Sequence, residues 1–253
     1  MMDGDSTMDE GEQKSVRIRV DEIHTEKPVL VEGFPGIGLI GNIVSHYLVH
    51  SLNMKHIGTV VSEYFPPIAI MLQGIVNMPV RIYESEENEL ITILSDIPIT
   101  PEASHYVASA IVDWCEKIGA REVLSIAGIA TMGEEQRVFG AATTHELLER
   151  IEPHIERFEV GSIAGVSGSL LTECYVRALP AIALLGETHG HGPDPRAAAH
   201  VVETINKVYG LSVDIKALLE QAEQIETELH KLAEQVGSAE TPVPPKREFP
   251  IYG

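Results

Sequence analysis

The stretch from Val29 to Gly41, VLVEGFPGIGLIG, limits the fold of this chain more than any other. Strand-forming apolar residues run into a cluster of glycines, and Ile37, Ile40, Val44, Leu48 and Leu52 then recur at helical spacing. A strand that turns tightly into a helix is the opening unit of an α/β protein. Gly36, Gly38 and Gly41, with Gly33 just upstream, spell G-x-G-x-x-G. In dinucleotide-binding enzymes that spacing brings backbone amides to a pyrophosphate, and an acid about 20 residues on holds the ribose. Glu63 stands near that place, but Pro35 precedes the pattern and Pro66 and Pro67 follow the acid. A tight turn with close helix packing is the simpler reading of the glycines.

Strand and helix patterns alternate through the rest of the chain. Val16 to Val20, Pro28 to Val31, His56 to Val61, Ile68 to Leu72, Val80 to Tyr83 and Leu90 to Leu94 read as strands, punctuated by prolines and glycines. Thr100, Pro101 and Glu102 form a helix start, with Thr100 as the cap, and the helix runs to Ile118 before Gly119. Ser125 to Ile129 and Ser162 to Val166, SIAGI and SIAGV, each predict a buried parallel strand ending in a glycine turn. Thr143 and Glu146 have capping-box spacing for a short helix. Ala181 to Leu185 is a further strand, and Pro195 to Tyr209 a helix closed by Gly210. This order predicts a mostly parallel sheet covered on both faces, with an antiparallel section from Ile68 to Leu94. The glycine turns after Val31, Ala127 and Ala164 then share the carboxyl edge of the sheet, where ligands bind in such folds.

Charge narrows the classes of partner. The 253 residues carry 18 basic and 38 acidic side chains, a formal net charge of −20, with no basic cluster, which argues against nucleic acid and anionic membrane. Cys115 and Cys174 lie far apart in sequence and suggest neither a disulfide framework nor a metal site. No signal-peptide pattern and no apolar run of about 18 residues is present, so the expectation is a soluble cytoplasmic protein.

No catalytic constellation assembles from the sequence. Asp96, Glu102 and His105 flank one turn, where carboxylates at a helix start have a simpler electrostatic use. His189 and His191, near Glu187 and Asp194, have ligand chemistry but sit in a glycine- and proline-rich loop that reads as a connection. Ser167 in GVSGSLL departs from the nucleophile-elbow pattern and reads as a helix cap. Neither a cofactor nor a metal is expected.

Both ends of the chain differ from the middle. Residues 1–14 are acidic and poor in large apolar groups, and are expected to be disordered, ahead of an α/β domain over 15–210. Over 211–236 apolar residues alternate by four and three. That heptad pattern predicts a helix–helix seam between subunits through Ile215, Leu218, Ala222, Ile225, Leu229 and Leu232; the other reading is a terminal helix packed on its own domain. Residues 237–253, GSAETPVPPKREFPIYG, are a proline-rich arm with a reach on the order of 50 Å, ending in Ile251, Tyr252 and Gly253.

Taken together, VEGFPGIGLIG, SDIPITPEASHYVASAIVDW, SIAGIATMG and GVSGSLLTECYVRALPAIALLGETHGHGPDPRAAAHVVETINKVYGLSVD resemble the archaeal branch of the proteasome assembly chaperone family. The resemblance runs from about Pro28 to Leu232. It implies a three-layer α/β/α sandwich similar to nucleoside phosphorylases, no catalysis, and homo-oligomers that bind proteasome subunits or the assembled core particle, or a related member of their own family. It also implies a role for the tail, because a hydrophobic residue, a tyrosine and any final residue form the motif by which proteasome activators dock between outer-ring subunits. Ile251 would be the hydrophobic member, Tyr252 the tyrosine, and Gly253 the source of the carboxylate that pairs with a pocket lysine. The alternative is an enzyme or sensor that binds a dinucleotide or nucleoside at the glycine-rich edge.

Overall fold

Alternating apolar residues place two different faces of one sheet against two layers of helices. The computed structural model describes residues 16–131, 133, 136–189 and 192–224. The disordered arm expected over 1–14, the heptad segment from residue 225 onward and the whole of the tail lie outside these residues. Eleven strands are described: β1 (Val16–Val20), β2 (Val29–Gly33), β3 (Lys55–Ser62), β4 (Ile70–Leu72), β5 (Ile75–Asn77), β6 (Val80–Ser85), β7 (Leu90–Ser95), β8 (Glu122–Ala130), β9 (Val138–Ala142), β10 (Glu156–Arg157) and β11 (Ala181–Thr188). The helices are α1 (Ile40–Ser51), α2 (Pro101–Ile118), α3 (His145–Ile151), α4 (Gly165–Val176) and α5 (Pro195–Tyr209).

Nine strands form one sheet in the order β1-β3-β6-β7-β2-β8-β11-β9-β10, and β4 and β5 pair as a separate hairpin. The centre, β7-β2-β8-β11, is parallel, and both flanks turn antiparallel at β6 and β9. With β3 aligned to the centre through two antiparallel pairings, five of the nine strands share one direction. Along β2, Leu30 faces α2 and α4, while Val29 and Val31 face α1 and α5. The result is an α/β/α arrangement, as the alternating pattern implies.

Several local expectations change. Residues 162–164 are not a strand: Gly165 takes a left-handed φ of 73° and opens α4, so the SIAGV segment leaves the sheet where its twin SIAGI lies inside β8. Thr144 rather than Thr143 caps α3, accepting from the Leu147 amide, and the Thr143 hydroxyl pairs with the backbone of Ala181. Thr100 sits at the cap of α2 without a side-chain bond to it, and its carbonyl accepts from the Ser104 hydroxyl. The short strands β5, β9 and β10 have no clear signal in the sequence.

Residues 216–224 are helical. The segment leading to them is tied to α5 by two bonds between the Asn206 side chain and the Val213 backbone. Leu218 and Ala222 are each 2% exposed, and Ile215 packs on the α1/α5 layer. The start of the heptad stripe thus meets its own domain; Ile225, Leu229 and Leu232 lie outside the described residues.

Candidate functional site

The carboxyl ends of β2, β8 and β11 open onto a cavity of about 370 Å³. Its lining includes Phe34, Gly36, Gly128, Phe158, Ile163 and Ser167. Of the three glycine turns expected at this edge, those after β2 and at Gly165 meet here, whereas β8 runs on through Gly128 to Ala130, and that glycine instead lets the Ile37 carbonyl oxygen approach. The glycines act mainly by letting backbones touch. A Cβ on Gly41 would lie 2.4 Å from the Ile126 carbonyl oxygen, and one on Gly33 would lie 2.3 Å from the Gly41 oxygen and 2.1 Å from the Ser45 hydroxyl. Gly38 and Leu39 are both left-handed, with φ of 65° and 51°, and form a 3₁₀ turn before α1. A Cβ on Gly36 would meet nothing within 4 Å.

Sheet order also removes the ribose partner. β3 is separated from β2 by β6 and β7, so Glu63 is remote from the glycine turn, and it pairs with Arg17 at 2.8 Å. In a dinucleotide fold the acid-bearing strand lies next to the glycine strand.

Sequence reading missed the carboxyl group under the cavity. Glu32 is fully buried at the end of β2, on the same face as Leu30. It accepts from the Phe34 amide at 3.1 Å, the Ser125 hydroxyl at 2.6 Å and the Ser167 hydroxyl at 3.1 Å. Ser125 is its register partner on β8, and Ser167 reaches it from inside α4. Ser167 therefore does not cap its helix. Burial raises the Glu32 carboxyl above the ordinary value, and the hydrogen bonds only partly offset that. A raised carboxyl costs stability once pH climbs through the unfolded value, and the cost is complete above the folded value. Glu32→Gln, which keeps the acceptor for Phe34, is thus expected to raise the melting temperature by a few degrees at about pH 8 and to change it little at about pH 4. An equal loss at both pH values in a melting series would contradict this account.

Asp96 follows β7 at the rim of a second cavity, of about 400 Å³, shared with Gly36 and Asn42. Arg81, 2% exposed, bonds both carboxylate oxygens, and the ring of His46 lies 3.1 Å away. Partial burial would raise the Asp96 carboxyl, but the bonds from His46 and Arg81 outweigh it and hold the group below its usual range. Glu102 and His105 do not join it: Glu102 is exposed in the first turn of α2, and His105 lies 3.4 Å from Glu173.

At the end of β11, Glu187 accepts two guanidinium bonds from Arg137, both at 2.9 Å, and a further bond from the Thr131 hydroxyl. The Arg137 bonds lead in holding its carboxyl down at about 2. Asp194 caps α5 through the Ala197 amide and accepts from Thr188. Both acids near His189 are thus committed to structure, and His191 lies outside the described residues. Among the described residues no three His, Cys, Asp or Glu side chains gather as a metal site. Cys115 and Cys174 are buried, and burial pushes both thiols up, the latter to about 12. No described helix is long and apolar enough to cross a membrane.

These features define an α/β/α protein whose edge acids are held in hydrogen-bonded and ion-paired networks around apolar cavities. The PAC2 family matches residues 30–233, and the chain belongs to it. It is 35% identical over 231 residues to protein MJ0106 of Methanocaldococcus jannaschii, covering 91% of this chain and 95% of that protein. Among solved structures it is similar to Pyrococcus furiosus PbaA, an archaeal homolog of proteasome-assembly chaperone. That likeness has 37% identity and a TM-score of 0.81, over 89% of this chain and 94% of the other. It is also similar to P. furiosus PbaB, an archaeal proteasome activator, with 28% identity and a TM-score of 0.77, over 87% of this chain and all of that one.

Proposed function

We propose that this chain is a proteasome assembly chaperone or regulator that works as a homo-oligomer and docks its tails into the outer-ring pockets of the core particle. The observation that carries the reading is the likeness, over nearly the whole folded chain, to PbaA and PbaB. The terminal Ile251, Tyr252 and Gly253 supply the docking group, and the proline-rich stretch before them supplies reach. Ile225, Leu229 and Leu232 continue the heptad stripe beyond the turns that pack on the domain and contribute a coiled-coil seam between subunits. The protein makes and breaks no bond, acts in the cytoplasm, and shares the nucleoside-phosphorylase architecture without its chemistry.

Deleting Tyr252 and Gly253 is expected to abolish co-purification with an archaeal core particle while leaving the fold intact. Unchanged retention would overturn the docking role. The edge cavity favours a second reading, a nucleoside or dinucleotide sensor. Its signature would be a saturable thermal shift with such ligands that tail deletion leaves unaltered.

A further inference from the structure

We infer that the β4–β5 hairpin is the surface through which one copy of this chain holds a second copy. The hairpin is closed by Gln73 and Gly74, both left-handed, in a two-residue turn, and it is not hydrogen-bonded into the nine-stranded sheet. Cross-strand pairing sets Met71 beside Val76 on one face and Leu72 beside Ile75 on the other. Those four side chains, with Ile68 and Met78, are 38% to 67% exposed. Together they present on the order of 600 Å² of apolar surface, at the top of the range for a monomer's largest patch and close to one side of a standard interface. A two-stranded hairpin with both faces in water is marginally stable. A partner surface is what would hold it.

Charge selects the partner. Residues 64–79 contain no charged side chain, in a chain whose net charge is −20. Copies of so acidic a chain repel one another, and the repulsion is least where they meet through uncharged surface. A basic partner would instead be met by carboxylates, and this stretch offers none. Just before the hairpin in sequence, the ring of Tyr64 stacks on that of Tyr106 at 5.0 Å, with Tyr106 46% exposed. The hairpin therefore fits a second copy of this chain. The inference rests on the homo-oligomer in the proposed function and is independent of its tail docking.

The test is native mass spectrometry of the full chain and of Ile75→Glu/Val76→Glu, which adds charge at exposed positions on both hairpin faces. The wild type is expected as an oligomer, and the variant, folded by circular dichroism, as a smaller species held by the heptad seam alone, with association across the hairpin weakened at least ~100-fold by the loss of the central apolar contacts. A photo-crosslinking amino acid at position 75 gives a second readout and is expected to capture a peptide of this same chain. A monomeric wild type, a variant with the wild-type mass, or a crosslink only to a different protein would overturn the inference. The chain lacking Tyr252 and Gly253 keeps the oligomer mass, so loss of core binding and loss of assembly are read separately.

Discussion

Gly41→Ala lowers the melting temperature by on the order of 10 °C, whereas Gly36→Ala leaves it almost unchanged. The two glycines share one motif and differ in what surrounds them. At Gly41 the new methyl carbon would stand 2.4 Å from the carbonyl oxygen of Ile126, about an ångström inside ordinary contact, and the oxygen it meets is backbone that cannot rotate away. α1 would be pushed off β8, disturbing the layer that holds Ile40, Val44, Ile126 and Leu184. Overpacking of this kind costs about 3 kcal/mol, and a chain of this size loses a few degrees per kcal/mol. Gly36 is extended, with φ of −148°, and has open space where its Cβ would be. Scanning calorimetry on the two variants separates packing from a generic dislike of substitution in the motif. Equal losses would mean that the close approach at Gly41 does not govern stability.

The contrast marks how far the sequence could be read. Apolar periodicity located the central strands and α1, α2 and α5, because each buries a face whose pattern is local. The cavity lies at the expected carboxyl edge, but only the turn after β2 is a glycine turn at the end of a parallel strand: β8 runs on through Gly128, and Gly165 opens a helix. What pattern could not convey is lateral order. Glu63 has the right separation from the glycines for a ribose-binding acid, yet two strands from later in the chain are inserted between β2 and β3. The twins SIAGI and SIAGV part for a similar reason: β11 takes the place beside β8, and the second copy turns through Gly165 into a helix. Glu32 does carry a signal in the sequence, a lone acid between apolar residues and a glycine turn in a strand that is otherwise wholly apolar.

Free tail peptide competes for the core far less well than the intact protein. A peptide of residues 237–253 carries the whole docking group, Ile251, Tyr252 and the Gly253 carboxylate. One such contact is small and costs ordering entropy on binding. An oligomer presents several tails at once, and after the first binds, the others search a volume set by their own leash. The gain in avidity is on the order of 10² to 10⁴ where the reach of the tails matches the spacing of the pockets. Competition measured by fluorescence anisotropy is therefore expected to show the oligomer displacing a labelled tail at concentrations at least ~100-fold below those the free peptide requires. Equal potency per tail would mean that the protein engages one pocket at a time. Ile75→Glu/Val76→Glu is expected to fall toward the peptide's level, because a smaller assembly presents fewer tails while the docking group is untouched.

The most direct measurement is mass photometry of the purified chain mixed with archaeal core particle. With Ile251, Tyr252 and Gly253 in place, the core peak shifts upward by the mass of whole oligomers. When Tyr252 and Gly253 are removed, the core and the free oligomer remain as separate peaks. A core peak that shifts equally with and without the last two residues, or with neither form, would contradict tail docking.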